Sequence, residues 1–186
     1  ESFYGGVMAL PDVGQPAGSL EKLELGNWWF KAADAKELSY EAGFAAPLPV
    51  TAIVTPFDTV KTSAELETAL GLTASTLAVE IEGAGVSNGP VNPMSLPTAF
   101  KLETTFALTA SGGTPAVWTG KANKADGAVT GTFTLPAVGD VLAGKAAASG
   151  VLLQGLPDGV VGGGFIRVPV QGKKGLFRTS SLLLEK

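Results

Sequence analysis

The stretch PAVWTGKANKADGAVTGTFTLP, residues 115–136, followed after a connector by KAAASGVLLQGLPDGVVGGGFIRVP, residues 145–169, decides the fold. Each half reads as a β-hairpin. Residues 116–121 and 128–135 are rich in β-branched and aromatic side chains, and Ala125-Asp126-Gly127 stands between them. Asp-Gly between two such runs signals a hairpin, because both residues tolerate the positive φ of a tight, right-twisting turn. Residues 149–155 and 160–168 repeat the pattern around Leu156-Pro157-Asp158-Gly159.

Working outward, the same grammar extends in both directions. Toward the C-terminus, a Lys-Lys-Gly turn precedes a last strand over residues 176–184, LFRTSSLLL. Toward the N-terminus, residues 99–108 (AFKLETTFAL) alternate as one long strand, with Phe100, Leu102, Thr104 and Phe106 on one face. Residues 76–82 (TLAVEIE) alternate cleanly and read as a strand with one wet face. Between them, residues 86–97 carry three prolines that cannot donate to a ladder, so this segment reads as a surface connection and a soft boundary between halves. Thr62 and Glu65 have capping-box spacing, Leu66, Ala69 and Leu70 give an apolar helical face, and Gly71 terminates it, which predicts a helix over residues 63–70. Strands are expected over residues 50–54 and 2–10, and residues 20–25 alternate apolar with charged. The aromatic run Trp28-Trp29-Phe30 and residues 38–44 form a further hairpin around a polar turn.

The expected fold is all-β: an antiparallel up-and-down barrel or sandwich of about ten to twelve strands with one short helix, turns recurring every eight to twelve residues or so. A single β-rich domain over residues 1–186 follows. Glycines within the strands, among them Gly131, Gly150 and Gly162-Gly163-Gly164, favour a curled sheet through bulges and close strand approach. Trp29 to Phe44 and Trp118 to Phe133 are equal in length with aromatic ends, an echo open to duplication or to shared hairpin grammar.

Composition narrows the function. The net charge is −4 and the pI near 4.8, so the basic face that nucleic-acid binding needs is missing. No window approaches the roughly 20 apolar residues of a membrane-spanning helix. The chain begins at Glu1 with neither initiator Met nor signal-peptide pattern, and a processed N-terminus is the expectation. His and Cys are absent, which removes Ser-His-acid triads, cysteine nucleophiles and imidazole or thiolate zinc sites. No metal or other cofactor is expected. Carboxylate chemistry is left, with Glu80, Glu82 and Glu103 or Glu41 beside Tyr40 as its carriers, but alternation on an exposed strand face already accounts for Glu80 and Glu82. Gly162-Gly163-Gly164 lacks the following helix and lysine of a phosphate loop. Asp126-Gly127 and Asp158-Gly159 lack the ligand series of a calcium loop. Trp28, Trp29 and Tyr40 form the candidate ligand platform, since aromatic faces stack on sugar rings.

Asn27-Trp28, Leu38-Ser39-Tyr40, Gly43-Phe44, Gly127 through Phe133, Ser149 through Leu153, Gly162 through Phe165 and Thr179-Ser180-Ser181 together resemble the C-terminal β-rich domains of large secreted bacterial surface and adhesin-like proteins. Thr119-Gly120-Lys121, with the later glycine-bounded strands, is similar to the small barrels of bacterial surface lipoproteins, although no cysteine is present to carry a lipid. The resemblance implies a secreted or cell-surface location and no catalytic residues. The first reading is therefore a non-enzymatic structural or adhesive domain, partnering itself or other surface proteins. Its assembly strands would carry Phe3, Tyr4 and Val7 at one end of the chain and Leu182 and Leu184 at the other, adding to open edges of other subunits. The alternative is a barrel that binds a small ligand or a glycan.

Overall fold

Two units divide the chain, Glu1–Pro56 and Phe57–Lys186. The computed structural model describes residues 2–5, 21–32, 46, 48–88, 94, 96–111, 117–156, 159–172 and 174–186. In the first unit, β1 (Ser2–Gly5), β2 (Glu21–Lys31) and β3 (Leu48–Val54) form an antiparallel sheet in the order β1-β2-β3. The strand expected over residues 20–25 and the aromatic run after it are one element, β2. Its pairing with β3 shifts register between Leu23 and Asn27, where Gly26 lies. The strand expected over residues 38–44 lies outside the described residues, as does the first half of the echo with Trp118–Phe133 apart from its start.

The second unit holds α1 (Ser63–Leu70) and eight strands: β4 (Thr76–Glu82), β5 (Ala99–Leu102), β6 (Ala107–Ser111), β7 (Trp118–Ala122), β8 (Ala128–Leu135), β9 (Gly144–Leu152), β10 (Val160–Pro169) and β11 (Phe177–Glu185). Each strand pairs antiparallel with its successor, and β11 pairs back onto β4 from Ser181↔Glu82 to Glu185↔Ala78, so the sheet closes as an up-and-down barrel. The barrel thus has eight strands rather than the ten to twelve or so anticipated for one barrel or sandwich, and the other three strands form their own sheet. The proline-bearing segment around residues 86–97 lies inside this second unit, and the division of the chain falls at Pro56.

Two expectations are corrected here. Residues 99–108 are not one strand. The chain turns at Glu103–Phe106, with the Glu103 amide donating to Ala107 O (2.9 Å) and the Phe106 amide to Glu103 O (2.9 Å). A straight strand would have carried the Thr104 hydroxyl into the barrel; the turn leaves Thr104 and Thr105 exposed and pairs Leu102 with Leu108, both buried. Leu182 and Leu184 are not edge residues. They lie inside the barrel, 2% and 0% exposed, and β11 is hydrogen-bonded to β10 on one side and β4 on the other. A closed sheet has no unpaired edge for these residues to offer.

Alternation fills the interior. Leu77, Val79 and Ile81 of β4 are buried while Ala78, Glu80 and Glu82 are exposed. At the centre Trp118 stacks on Phe100 (4.4 Å between centroids, 16°) and tilts against Phe133 (4.5 Å). Its Nε1 donates to Leu108 O at 2.7 Å. The indole lies across the cross-strand pair Gly120↔Gly131, where added Cβ atoms would stand 2.0 and 1.9 Å from ring carbons. Glycine here is the space the tryptophan occupies. At β9–β10, a Cβ on Gly164 would come within 2.2 Å of Ser149 O, the close strand approach expected of these glycines.

Both ends of the barrel are covered. At one, α1 buries Leu66 and Leu70. Its cap is Thr62, whose Oγ1 accepts from the Glu65 amide (3.2 Å), and Glu65 Oε2 reaches one residue further back than a capping box requires, to the Lys61 amide (2.7 Å). At the other end Val86, Met94, Leu96 and Val141 are buried. There the Asn88 side chain takes over from a strand: Oδ1 accepts from the Ile81 amide (3.0 Å) and Nδ2 donates to Val79 O and to Pro97 O (2.9 Å). It satisfies the part of β4 that runs beyond the three pairs made with β5.

Candidate functional site

The register of the first sheet brings together the N-terminal residues singled out from sequence. Phe3 lies opposite Phe30, Tyr4 opposite Trp29 and Gly5 opposite Trp28, while Trp28 and Trp29 pair with Pro49 and Leu48 on the other side. Assembly-strand residues Phe3 and Tyr4 and ligand-platform residues Trp28 and Trp29 are therefore neighbours in one sheet. Tyr40 and Val7 lie outside the described residues. β1 and β3 are the outer strands, and among the described residues nothing pairs with their outer edges.

The barrel offers different chemistry. A ligand held inside it would need room that Phe100, Trp118, Phe133, Leu77, Ile81 and Ile166 occupy. Glu80, Glu82, Lys101, Lys121, Lys145, Arg167 and Arg178 face outward and are exposed. Apolar inside and charged outside is the reverse of a membrane-spanning barrel, whose outer band is apolar. Among the described residues no helix is long and apolar enough to cross a membrane, and no three His, Cys, Asp or Glu side chains gather as a metal site.

The candidate carboxylates fall at two separate places. Glu80 and Glu82 sit on the half of β4 beyond its pairing with β5, opposite Leu183 and Ser181. Glu103 follows the other end of β5, where it is bound by Lys101 Nζ (3.3 Å) and Thr109 Oγ1 (3.1 Å). Since Lys101 lies opposite Thr76, four or more residues separate Glu103 from Glu80 along the strand, at about 3.3 Å each. Two carboxyl groups flanking one glycosidic bond stand roughly 5 to 9 Å apart. Glu103 therefore forms no such pair with Glu80 or Glu82. Glu80 and Glu82, two positions apart on one exposed strand face, stand about 6.6 Å apart along the strand, a spacing that strand alternation alone produces. Glu41 lies outside the described residues.

What sequence reading did not anticipate is an open groove of about 510 Å³ on the barrel wall, lined by Phe106, Lys121, Ala122, Asn123, Lys124, Ala128 and Thr130. Lys121 and Thr130 are paired across β7 and β8, and Asn123 and Lys124 belong to the turn between these strands. That turn is tightly specified. The Asn123 amide donates to Ala128 O (2.8 Å) and the Gly127 amide to Asn123 O (2.9 Å), while Asn123 Oδ1 and Asp126 Oδ1 accept from the Ala125 and Ala128 amides (3.0 and 2.9 Å). The segment before α1 braces it from outside through Val60 N–H to Lys124 O (3.1 Å) and Thr59 Oγ1 to Ala125 O (3.1 Å). The turn residues were legible; Phe106 was not, because only the fold-back of β5 onto β6 brings it beside β7, where its carbonyl accepts from the Ala122 amide (2.9 Å).

A second exposed feature lies on β9–β11, where Val151, Phe165 and Phe177 are 46%, 42% and 36% exposed and the Arg167 guanidinium sits 4.6 Å from the Phe177 ring centroid. No protein-family model matches the chain, and no curated protein and no solved structure is significantly similar to it.

Proposed function

We propose that this chain is a non-enzymatic structural or adhesive domain acting outside the cell or at its surface, and that copies associate by strand addition at the N-terminal sheet. The observation that carries the reading is the contrast between the two units. The barrel closes on itself, whereas among the described residues β1-β2-β3 is open, with β1 and β3 outermost. An unpaired strand edge is a row of N–H and C=O groups ready for another strand, and main-chain pairing of this kind is a general mode of protein association. Assembly assigned at the outset to both ends of the chain is thereby concentrated at one, through Phe3 and Tyr4. The lack of His and Cys, and the separation of Glu103 from Glu80 and Glu82, support the non-enzymatic half of the proposal.

The test is mass in solution across a range of concentrations, by light scattering after gel filtration, for the intact chain and for a chain lacking residues 1–10. Concentration-dependent growth that the deletion abolishes, with the far-ultraviolet dichroism and barrel unfolding midpoint retained, is the expected result. A clean monomer at all concentrations, or growth indifferent to the deletion, would overturn it.

A further inference from the structure

We infer that the groove between the β5–β6 turn and the β7–β8 hairpin binds a small organic anion with a flat apolar body, of which an aromatic carboxylate is the simplest type. Neither the assembly proposal nor the N-terminal sheet enters this inference. At about 510 Å³, the groove falls within the range of roughly 300–1,000 Å³ typical of small-molecule sites. Its lining mixes the two kinds of surface these sites combine: Ala128 and the exposed margin of the otherwise buried Phe106 are apolar, and Lys121, Lys124, Asn123 and Thr130 supply a few polar groups.

Charge selects the ligand. An ammonium group donates and cannot accept, so its matching partner is an anionic oxygen. On the same two hairpins, Glu103 holds Lys101 and Thr109, and one oxygen of Asp126 accepts from the Ala128 amide. The other ion pair among the described residues joins Arg178 to Asp140. Neither Lys121 nor Lys124 forms an ion pair with a carboxylate among the described residues. In a chain of net charge −4, the charged side chains that line this groove are both lysines.

Phe106 is the independent sign that the groove is built. Its φ is +63°, a left-handed conformation that a bulky L-residue rarely adopts and that recurs at binding sites where surrounding structure holds it. A turn of this shape is met at lower cost by Gly or Asn; here it carries a phenylalanine that is 8% exposed and belongs to the buried core, its remaining surface forming the floor of the groove. Hydrogen bonds on both sides fix it, from its amide to Glu103 O and from the Ala122 amide to its own carbonyl. With the facing turn braced as described above, both walls are set before any ligand arrives, which lowers the ordering cost of binding.

The experiment uses the whole chain and two probes of one shape, naphthoate and its neutral amide, naphthamide, titrated against amide chemical shifts and by calorimetry. Naphthoate is expected to saturate with shifts confined to residues 103–107 and 121–130, and naphthamide to bind about tenfold more weakly, the factor that loss of a charge-assisted contact of about 1.5 kcal/mol produces. Replacing both lysines, Lys121→Met with Lys124→Met, should bring naphthoate down to the affinity of naphthamide. Phe106→Leu, which keeps this buried position apolar while removing the ring, should weaken both probes alike. Equal affinity for the two probes, shifts centred on Phe165 and Phe177, or no saturation at millimolar concentration would each overturn the inference.

Discussion

At Gly131 a methyl group would stand 1.9 Å from the Trp118 ring, and at Gly120 2.0 Å. Neither contact is relieved by rotating a flexible end, because the indole is stacked on Phe100 and tied to Leu108 O. Gly131→Ala should therefore destabilise the barrel by about 1–3 kcal/mol, the usual scale of overpacking, read as a lower urea midpoint at unchanged slope. Combining it with Trp118→Leu, which vacates the space, should cost less than the two single changes added together; strict additivity would show that the glycine and the indole are not coupled. Asn88 and Gln154 act at the same scale on backbone groups that no strand satisfies. Gln154 is 1% exposed and clamps Asp58 at both its amide (2.7 Å) and its carbonyl (3.0 Å), fixing the segment that leads into α1. The Gln154 role was not readable beforehand, since side-chain-to-backbone bonds spanning 96 positions leave no local pattern.

Among the elements, those with local punctuation were legible and those without it were not. Thr62, Glu65 and Gly71 bracket α1, and the helix spans Ser63–Leu70 as expected. Asp126-Gly127 marks the β7–β8 hairpin, with Gly127 at φ +71°. The β5–β6 hairpin carries no Gly, Pro, Asn or Asp at its turn, and its alternation through Thr104 to Phe106 imitates a strand. What breaks it is the demand of a shared core for Phe100, Leu102 and Leu108 at once. The open edge of β1 yields a prediction at this scale. Alternate residues of an edge strand direct their N–H toward the neighbour and toward solvent, so of Phe3 and Tyr4, one amide points outward. Phe3→Pro and Tyr4→Pro should therefore differ: one blocks self-association and leaves the β1–β2 ladder intact, the other disrupts the ladder itself. Light scattering paired with amide exchange on β2 separates the two, and equal effects from both prolines would show that strand addition does not proceed through β1.

At the scale of the whole molecule, one sheet is closed and the other, among the described residues, is open. Amides of a closed barrel exchange chiefly by cooperative opening, while outer-strand amides exchange by local fraying. Hydrogen exchange should accordingly place β7 to β10 in the slowest class and the outer amides of β1 and β3 in the fastest, and a single uniform class would contradict the division at Pro56. The sequence by itself determined the secondary-structure type, most strand positions, the helix and the exclusion of imidazole and thiolate chemistry, because period-two alternation, turn residues and composition are properties of neighbours along the chain. Only the tertiary structure decided that eight strands close, that Leu182 and Leu184 face inward with no free edge, and that Phe106 meets Lys121 and Lys124 across a groove. These depend on which strands meet, and β11 finds β4 across about a hundred residues through the shared burial of side chains that no local pattern links.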